Sequence, residues 1–166
     1  MQKRGQAALE FLTTYGWAFL VILIMIGALA YFGILKPSKL LPERCTFGTE
    51  IGCQDFVLDG TNSRTILRLK NGVGESIKLN YTNFTSESRT PFVCSGQVDF
   101  TSVMGSDGIW ANGEVIDVNY TNCNFAATGM ISGEKGKVSI TLGYYTVRSG
   151  PEYKHDVQGE VYATVK

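Results

Sequence analysis

From Gly16 to Leu35 the chain reads GWAFLVILIMIGALAYFGIL, twenty residues without a charge. A helix needs about 20 such residues to cross the hydrocarbon core of a bilayer. The core helix of a soluble protein normally keeps a polar stripe, and this run has none, so it is read as a membrane-capable helix. The 166-residue chain then has room for one further domain of ordinary size.

The flanks of the run do not orient it. Lys3 and Arg4 precede it and Lys36 and Lys39 follow, so the basic residues are balanced across the span. Cysteines give the direction. Cys45, Cys53, Cys94 and Cys123 all lie beyond the run, with no C-x-x-C spacing of the kind that binds metal. An even number of cysteines in a domain rich in Gly, Thr and Asn reads as disulfides in an oxidising compartment, which places that domain outside the cell. Charge excludes another class of partner. The chain has fifteen acids and fifteen Lys and Arg; Glu10 lies before Pro37, as do Lys3, Arg4 and Lys36, leaving fourteen acids against twelve bases. No basic patch with interleaved aromatics is present, so no nucleic-acid partner is expected.

The start of the chain is not that of a cleaved secretory signal. Such a signal is cut after its apolar run, behind small residues, whereas KPSKLLPER follows Leu35 here. An uncleaved anchor leaves Glu10 unexplained, because a carboxylate in hydrocarbon costs about 2.5 to 3.5 kcal/mol on insertion scales. Lys3-Arg4-Gly5, then QAALEF and the long apolar run, resembles the class III signal of archaeal type IV pilin-like proteins, a superfamily that includes the archaellins. In that family a prepilin peptidase cuts on the cytoplasmic side, before the apolar segment. The resemblance therefore implies recognition of Lys3, Arg4, Gly5 and Gln6, with the cut between Gly5 and Gln6. Glu10 becomes the fifth residue of the mature chain, where such pilins carry glutamate. ILRLKNGVGESIKL, from Ile66 to Leu79, is also similar to head segments of archaeal pilins.

Glu10 then acquires a physical role. Cleavage leaves an ammonium on Gln6, and residues four apart share a helix face. The new helix end also presents free N–H groups and the positive end of the helix dipole. Gln6 and Glu10 are therefore the expected assembly residues, paired first within a subunit and then between subunits. Cyclisation of an N-terminal glutamine removes that charge and leaves Glu10 to the N–H groups.

The layout implied is a leader over 1–5, a transmembrane and filament-core helix over 6–36, a neck over 37–42 and an extracellular head over 43–166. A helix from Gln6 to Leu35 is about 45 Å long at 1.5 Å per residue, longer than the hydrocarbon layer. Gly16, Gly27 and Gly33, with Ala18, Ala28 and Ala30, supply small positions for close helix contact. Pro37 ends the helix and Pro42 stiffens the neck.

Beyond the neck the hydrophobic period becomes two. Val138, Ile140, Leu142 and Tyr144 alternate with polar residues, as do Val157, Val161, Ala163 and Val165 on one predicted face. Ile77, Leu79 and Tyr81 repeat the pattern, and so do Ile116, Val118 and Tyr120. Asn71-Gly72 and Asn112-Gly113 are turn signals between such runs, and Asp55 and Asp59 read as turn residues. The fold class expected is α+β, a long hydrophobic helix followed by an antiparallel β-sandwich of about 120 residues. The pilin resemblance implies that the sandwich is immunoglobulin-like. Of the three possible disulfide pairings, Cys45 with Cys53 and Cys94 with Cys123 is favoured, because the first pair is local and ties the neck to the domain.

Asn80, Asn83 and Asn119 each begin an N-x-T pattern, the acceptor for N-linked glycans in an exported chain. Enzymatic chemistry has no candidate. His155 stands alone, NGVGES joins two strands rather than a strand and a helix, and Asp107, Asn112 and Glu114 lack the spacing of a cation loop. No cofactor or metal is expected. The function implied is a structural subunit of an extracellular adhesive filament, inserted in the cytoplasmic membrane before assembly and partnered by copies of itself, the peptidase and the assembly machinery. An archaellum-type motility filament and a membrane-anchored monomer with a ligand-binding head are the alternatives.

Overall fold

The computed structural model describes residues 3–32, 41–85, 90–96, 98, 104 and 107–166, with the backbone alone for 3–8 and 12. The chain divides into two compact units, Met1–Leu41 and Pro42–Lys166. Among its described residues the first has one helix, α1 (Lys3–Tyr31), of 29 residues and so about 44 Å long. It starts three residues before the expected boundary, so the Gly5–Gln6 junction lies inside continuous helix. Lys and Arg are good helix formers, which is reason enough for the extension. Positions 33–36 of the expected helix and 37–40 of the neck lie outside the described residues. Thr13 and Thr14 sit in the apolar stretch without stranded hydroxyls: Thr13 Oγ1 donates to the Leu9 and Glu10 carbonyls at 3.0 and 3.1 Å, and Thr14 Oγ1 to the Glu10 carbonyl at 2.8 Å.

The second unit holds two antiparallel sheets. Strands β1 (Arg44–Phe47), β4 (Ile77–Thr85), β6 (Lys135–Thr146) and β7 (Lys154–Thr164) form a four-stranded sheet in the order β1-β7-β6-β4. Strands β2 (Ile51–Asp59), β3 (Arg64–Asn71) and β5 (Val115–Tyr120) form a three-stranded sheet in the order β2-β3-β5. The period-two runs explain the burial. Val138, Ile140, Leu142 and Tyr144 of β6 and Val157, Val161, Ala163 and Val165 at the chain's end join Ile116, Val118 and Tyr120 of β5 in one hydrophobic cluster. Both sheets contribute to it, and Trp110 and Phe92 fill it between strands.

Tyr81 departs from the expected alternation. The β4–β6 register shifts between Leu79 and Tyr81, so Asn80 is an extra residue and every later side chain changes face. Tyr81 turns outward, 37% exposed, and Phe84 takes the core position. The displaced ring has a site of its own. It lies over Gly143, where an added Cβ would overlap it, and its hydroxyl donates to Asp156 at 2.6 Å.

Asn71-Gly72 is also not a hairpin turn. β3 and β4 belong to different sheets, so the chain passes from one sheet to the other at this point. Asn71 is fully buried and organises the crossing. Its Nδ2 donates to the carbonyls of Glu75 and Trp110 at 2.9 Å and Ala111 at 3.1 Å, while its Oδ1 accepts from the Val73 N–H at 2.9 Å. Its backbone N–H donates to the Glu114 carbonyl, and its own carbonyl accepts from Gly113 N–H. Loss of a buried polar group that serves several partners strands those partners. Asn71→Ala is expected to destabilise the protein by about 3 kcal/mol, read as a lowered midpoint in denaturant titration of the full-length chain in detergent; a loss below about 1 kcal/mol would show the crossing to be held by packing alone.

At the opposite side of the sheets, Lys166 N–H donates to the Leu58 carbonyl at 2.8 Å and Gly60 N–H to the Lys166 carbonyl at 3.0 Å. These bonds tie the chain's last residues to the β2–β3 turn. Asp55 lies within β2 at a register shift rather than in a turn, and Asp59 ends β2 and anchors the turn that follows.

Candidate functional site

Most of the exposed large hydrophobic side chains among the described residues lie on α1. Leu9–Tyr31 has a mean hydropathy of 2.0 over 23 residues, and none of its described side chains is buried. It is long and apolar enough to cross a membrane. Phe11, Trp17, Phe19 and Tyr31 are more than half exposed, and a Cβ at Gly16 or Gly27 would meet nothing within 4 Å. Bulky and small positions are thus open together. Glu10 is the one ionisable residue in this span apart from its tyrosines, and it is exposed. Lys3, Arg4, Gly5 and Gln6 are placed on α1 by their backbone, and their side chains lie outside the described residues.

The head carries polar clusters, each closed on itself. Arg68 on β3 and Asp117 on β5 face each other across paired strands and make a two-pronged contact at 2.7 and 2.8 Å. The Arg68 hydrogen bonds hold the Asp117 carboxyl below its ordinary range. A hollow of about 170 Å³ beside them is lined by Asp55, Phe56, Val57, Ile66, Arg68 and Asp117. It contains no nucleophile with an adjacent base. Tyr144 donates to Glu50 at 2.8 Å and is pushed up to about 12, first by burial and then by that carboxylate. The His155 ring is exposed and stacks on Tyr144 at 5.5 Å. Asp107 accepts from Ile109 N–H and Glu114 from Ala111 N–H, so both carboxylates brace their own loop. Among the described residues no group of three or more His, Cys, Asp or Glu is arranged to hold a metal.

Asp59 is the most strongly shifted carboxyl. Its oxygens accept from the side-chain and backbone nitrogens of Asn62 and from Arg64 Nε at 2.8 to 2.9 Å, and these bonds lower it to about 2. A depressed carboxyl contributes stability above its unfolded value near 3.9, and that stability is lost as pH falls through about 2. Wild-type protein is therefore expected to lose stability between about pH 4 and pH 2, and Asp59→Asn to flatten that part of the curve. Equal slopes in thermal melts of the two proteins would contradict the assignment.

The structure joins Cys45 to Cys53 and Cys94 to Cys123, with sequence separations of 8 and 29. The first bond links β1 of one sheet to β2 of the other. Asn80, Asn83 and Asn119 are all exposed, the first two on β4 and the third on β5. Sequence reasoning did not find the Tyr81–Gly143–Asp156 contact or the role of Asn71. The only local sign of the first is a glycine inside an otherwise regular strand pattern. No family model matches the chain, and no curated protein matches it.

Proposed function

We propose that the chain is the structural subunit of an extracellular type IV pilus-like filament, inserted in the membrane as a precursor, cut before Gln6 and polymerised through α1. The observation that carries this reading is α1 itself: continuous helix through Gly5–Gln6, apolar on every side from Leu9 to Tyr31, with a single acid at Glu10. A monomeric anchor has no use for that acid. In the uncut chain the helix starts at Lys3, so Glu10 lies about two turns inside and the N–H groups near it are already bonded. Hydrolysis of the Gly5–Gln6 bond moves the positive helix end to Gln6, frees the first four N–H groups there and adds an ammonium four residues from Glu10. Processing thus switches the acid from an uncompensated charge to a pairing group.

The two antiparallel sheets are read as an immunoglobulin-like sandwich. They share one hydrophobic cluster, and the chain passes from one sheet to the other four times, after β1, β3, β4 and β5. Such a head, disulfide-bonded and exported, suits the outside of a filament whose core is helical, and adhesion is the role this reading assigns. Immunogold electron microscopy of sheared surface material, with antibody to the head, is expected to label filaments along their length. Label confined to membrane fragments would instead support an anchored monomer.

A further inference from the structure

We infer that heads of successive copies dock through two charged rows, Asp55–Arg68–Asp117 of one copy against Lys78–Tyr145–Lys154 of the next. The inference rests on the filament reading above and names the head surfaces that meet in it. Strand register sets both rows. Asp55 on β2 pairs with Arg68 on β3, and Arg68 with Asp117 on β5. In the other sheet Lys78 on β4 pairs with Tyr145 on β6, and Tyr145 with Lys154 on β7. Neighbouring strands lie about 4.8 Å apart, so the two aspartates, and likewise the two lysines, are anchored about 10 Å from each other. Buried neighbours fix the direction of the rows. Arg68 lies between Leu67 and Leu69, Asp117 between Ile116 and Val118, and Lys78 between Ile77 and Leu79, while Tyr145 follows Tyr144, all core residues. Each row therefore stands on the face of its sheet turned away from the shared cluster.

The charges of the rows complement each other. Arg68 gives both of its prongs to Asp117, and Asp55, exposed beside it, makes no ion pair among the described residues; its Oδ1 accepts from the Phe56 N–H at 2.8 Å. The side chains of Lys78, Tyr145 and Lys154 make no hydrogen bond, ion pair or ring contact among the described residues. Asp156, two residues along β7 from Lys154, accepts from the Tyr81 hydroxyl instead. A second row in the same sheet shows what is missing. Arg44–Tyr162–Lys137 has the same order of base, ring and base, but Glu160 meets both bases, at 3.6 and 3.2 Å. The Lys78–Tyr145–Lys154 row has no such acid in its own chain, and the acidic row of another copy supplies two. Docked face to face, the rows put an aspartate opposite each lysine and Tyr145 over Arg68. The edge of that guanidinium is on Asp117, which leaves its flat face for the ring. The hollow of about 170 Å³ beside Asp55, walled by Val57 and Ile66, takes the aliphatic stem of one lysine. Every head carries both rows as different patches, so the contact repeats from copy to copy instead of closing a pair.

Carbodiimide treatment of sheared surface filaments tests this, because the reagent joins a carboxylate to a nearby amine as an amide. Expected in the peptide masses are links from Asp55 or Asp117 to Lys78 or Lys154. Within one head the hydrophobic cluster separates the two rows, so such links arise between copies. Lys78→Glu with Lys154→Glu is expected to lower filament yield by about tenfold or more through like-charge contact. Adding Asp55→Lys and Asp117→Lys to that variant is expected to restore it. Wild-type filaments that link these residues to another protein, or that show none of these links, overturn the proposal whatever the variants do. Undiminished yield from the double variant overturns it too, as does lack of rescue in a fourfold variant that melts like wild type. If no filaments form, the filament reading fails separately. The full-length chain concentrated in detergent is then cross-linked: the same links between copies retain the contact, and their absence overturns it.

Discussion

Glu10→Gln is expected to lower the yield of surface filaments by about two orders of magnitude while leaving the quantity of membrane precursor unchanged. The magnitude follows from the cost of an uncompensated polar charge in hydrocarbon, about 3 kcal/mol on insertion scales, with about 1.4 kcal/mol for each tenfold change in an equilibrium. In the filament reading that cost is relieved when the carboxylate meets an ammonium and free N–H groups at a helix start, its own and then a neighbour's. Glutamine keeps the shape and removes the charge that drives the exchange. Glu10→Leu makes the span still more apolar, so insertion is retained or improved while assembly is lost. The two variants together separate the readings. A monomeric anchor tolerates both, with normal surface display of the head, and filament yield within about twofold of wild type for either variant would remove the basis for the assembly role of Glu10.

The second large effect concerns the longer disulfide. Removing Cys94–Cys123 as the double alanine variant is expected to cost about 3.6 kcal/mol, against about 2.5 kcal/mol for removing Cys45–Cys53. In the chain-entropy account a cross-link stabilises by restricting the unfolded chain, and the restriction grows with the logarithm of the closed loop, here 29 residues against 8. Packing points the same way. Cys123 is 4% exposed within the core cluster, and the backbone around the bond is paired, with Ser95 N–H on the Asn122 carbonyl, Gly96 N–H on the Thr121 carbonyl and Asn124 N–H on the Val93 carbonyl. Cys45–Cys53 joins half-buried side chains of short reach. Denaturant titration of the full-length double variants in detergent gives the comparison, and a larger loss for the Cys45–Cys53 pair would contradict it.

Sequence periodicity carried most of the head. From Lys137 to Leu142 in β6 polar and apolar residues alternate strictly, and in β7 Val157 and Val161 recur at even spacing, so the faces of Val138, Ile140, Leu142, Val157 and Val161 follow from local order. It fails at β4 because a bulge is a property of two paired strands: nothing around Asn80 announces that one residue will stand opposite none, so plain alternation points Tyr81 inward where the structure turns it out. Asn71-Gly72 shows a different limit. The dipeptide is correctly a reversal signal, but whether the chain turns back into the same sheet or crosses to the other is decided by distant partners, Trp110, Ala111 and Glu114. The helix, in contrast, was legible from composition alone, because a membrane-capable span is defined by what it lacks. Its start was not, since Lys3 and Arg4 are compatible with either helix or leader.

The most direct measurement is the N-terminal residue of this protein in material sheared from the cell surface, read by mass spectrometry. The account predicts a chain that begins at Gln6, as glutamine or as its cyclised form. A surface or membrane population that retains Met1 throughout, with no processed chain, would contradict it.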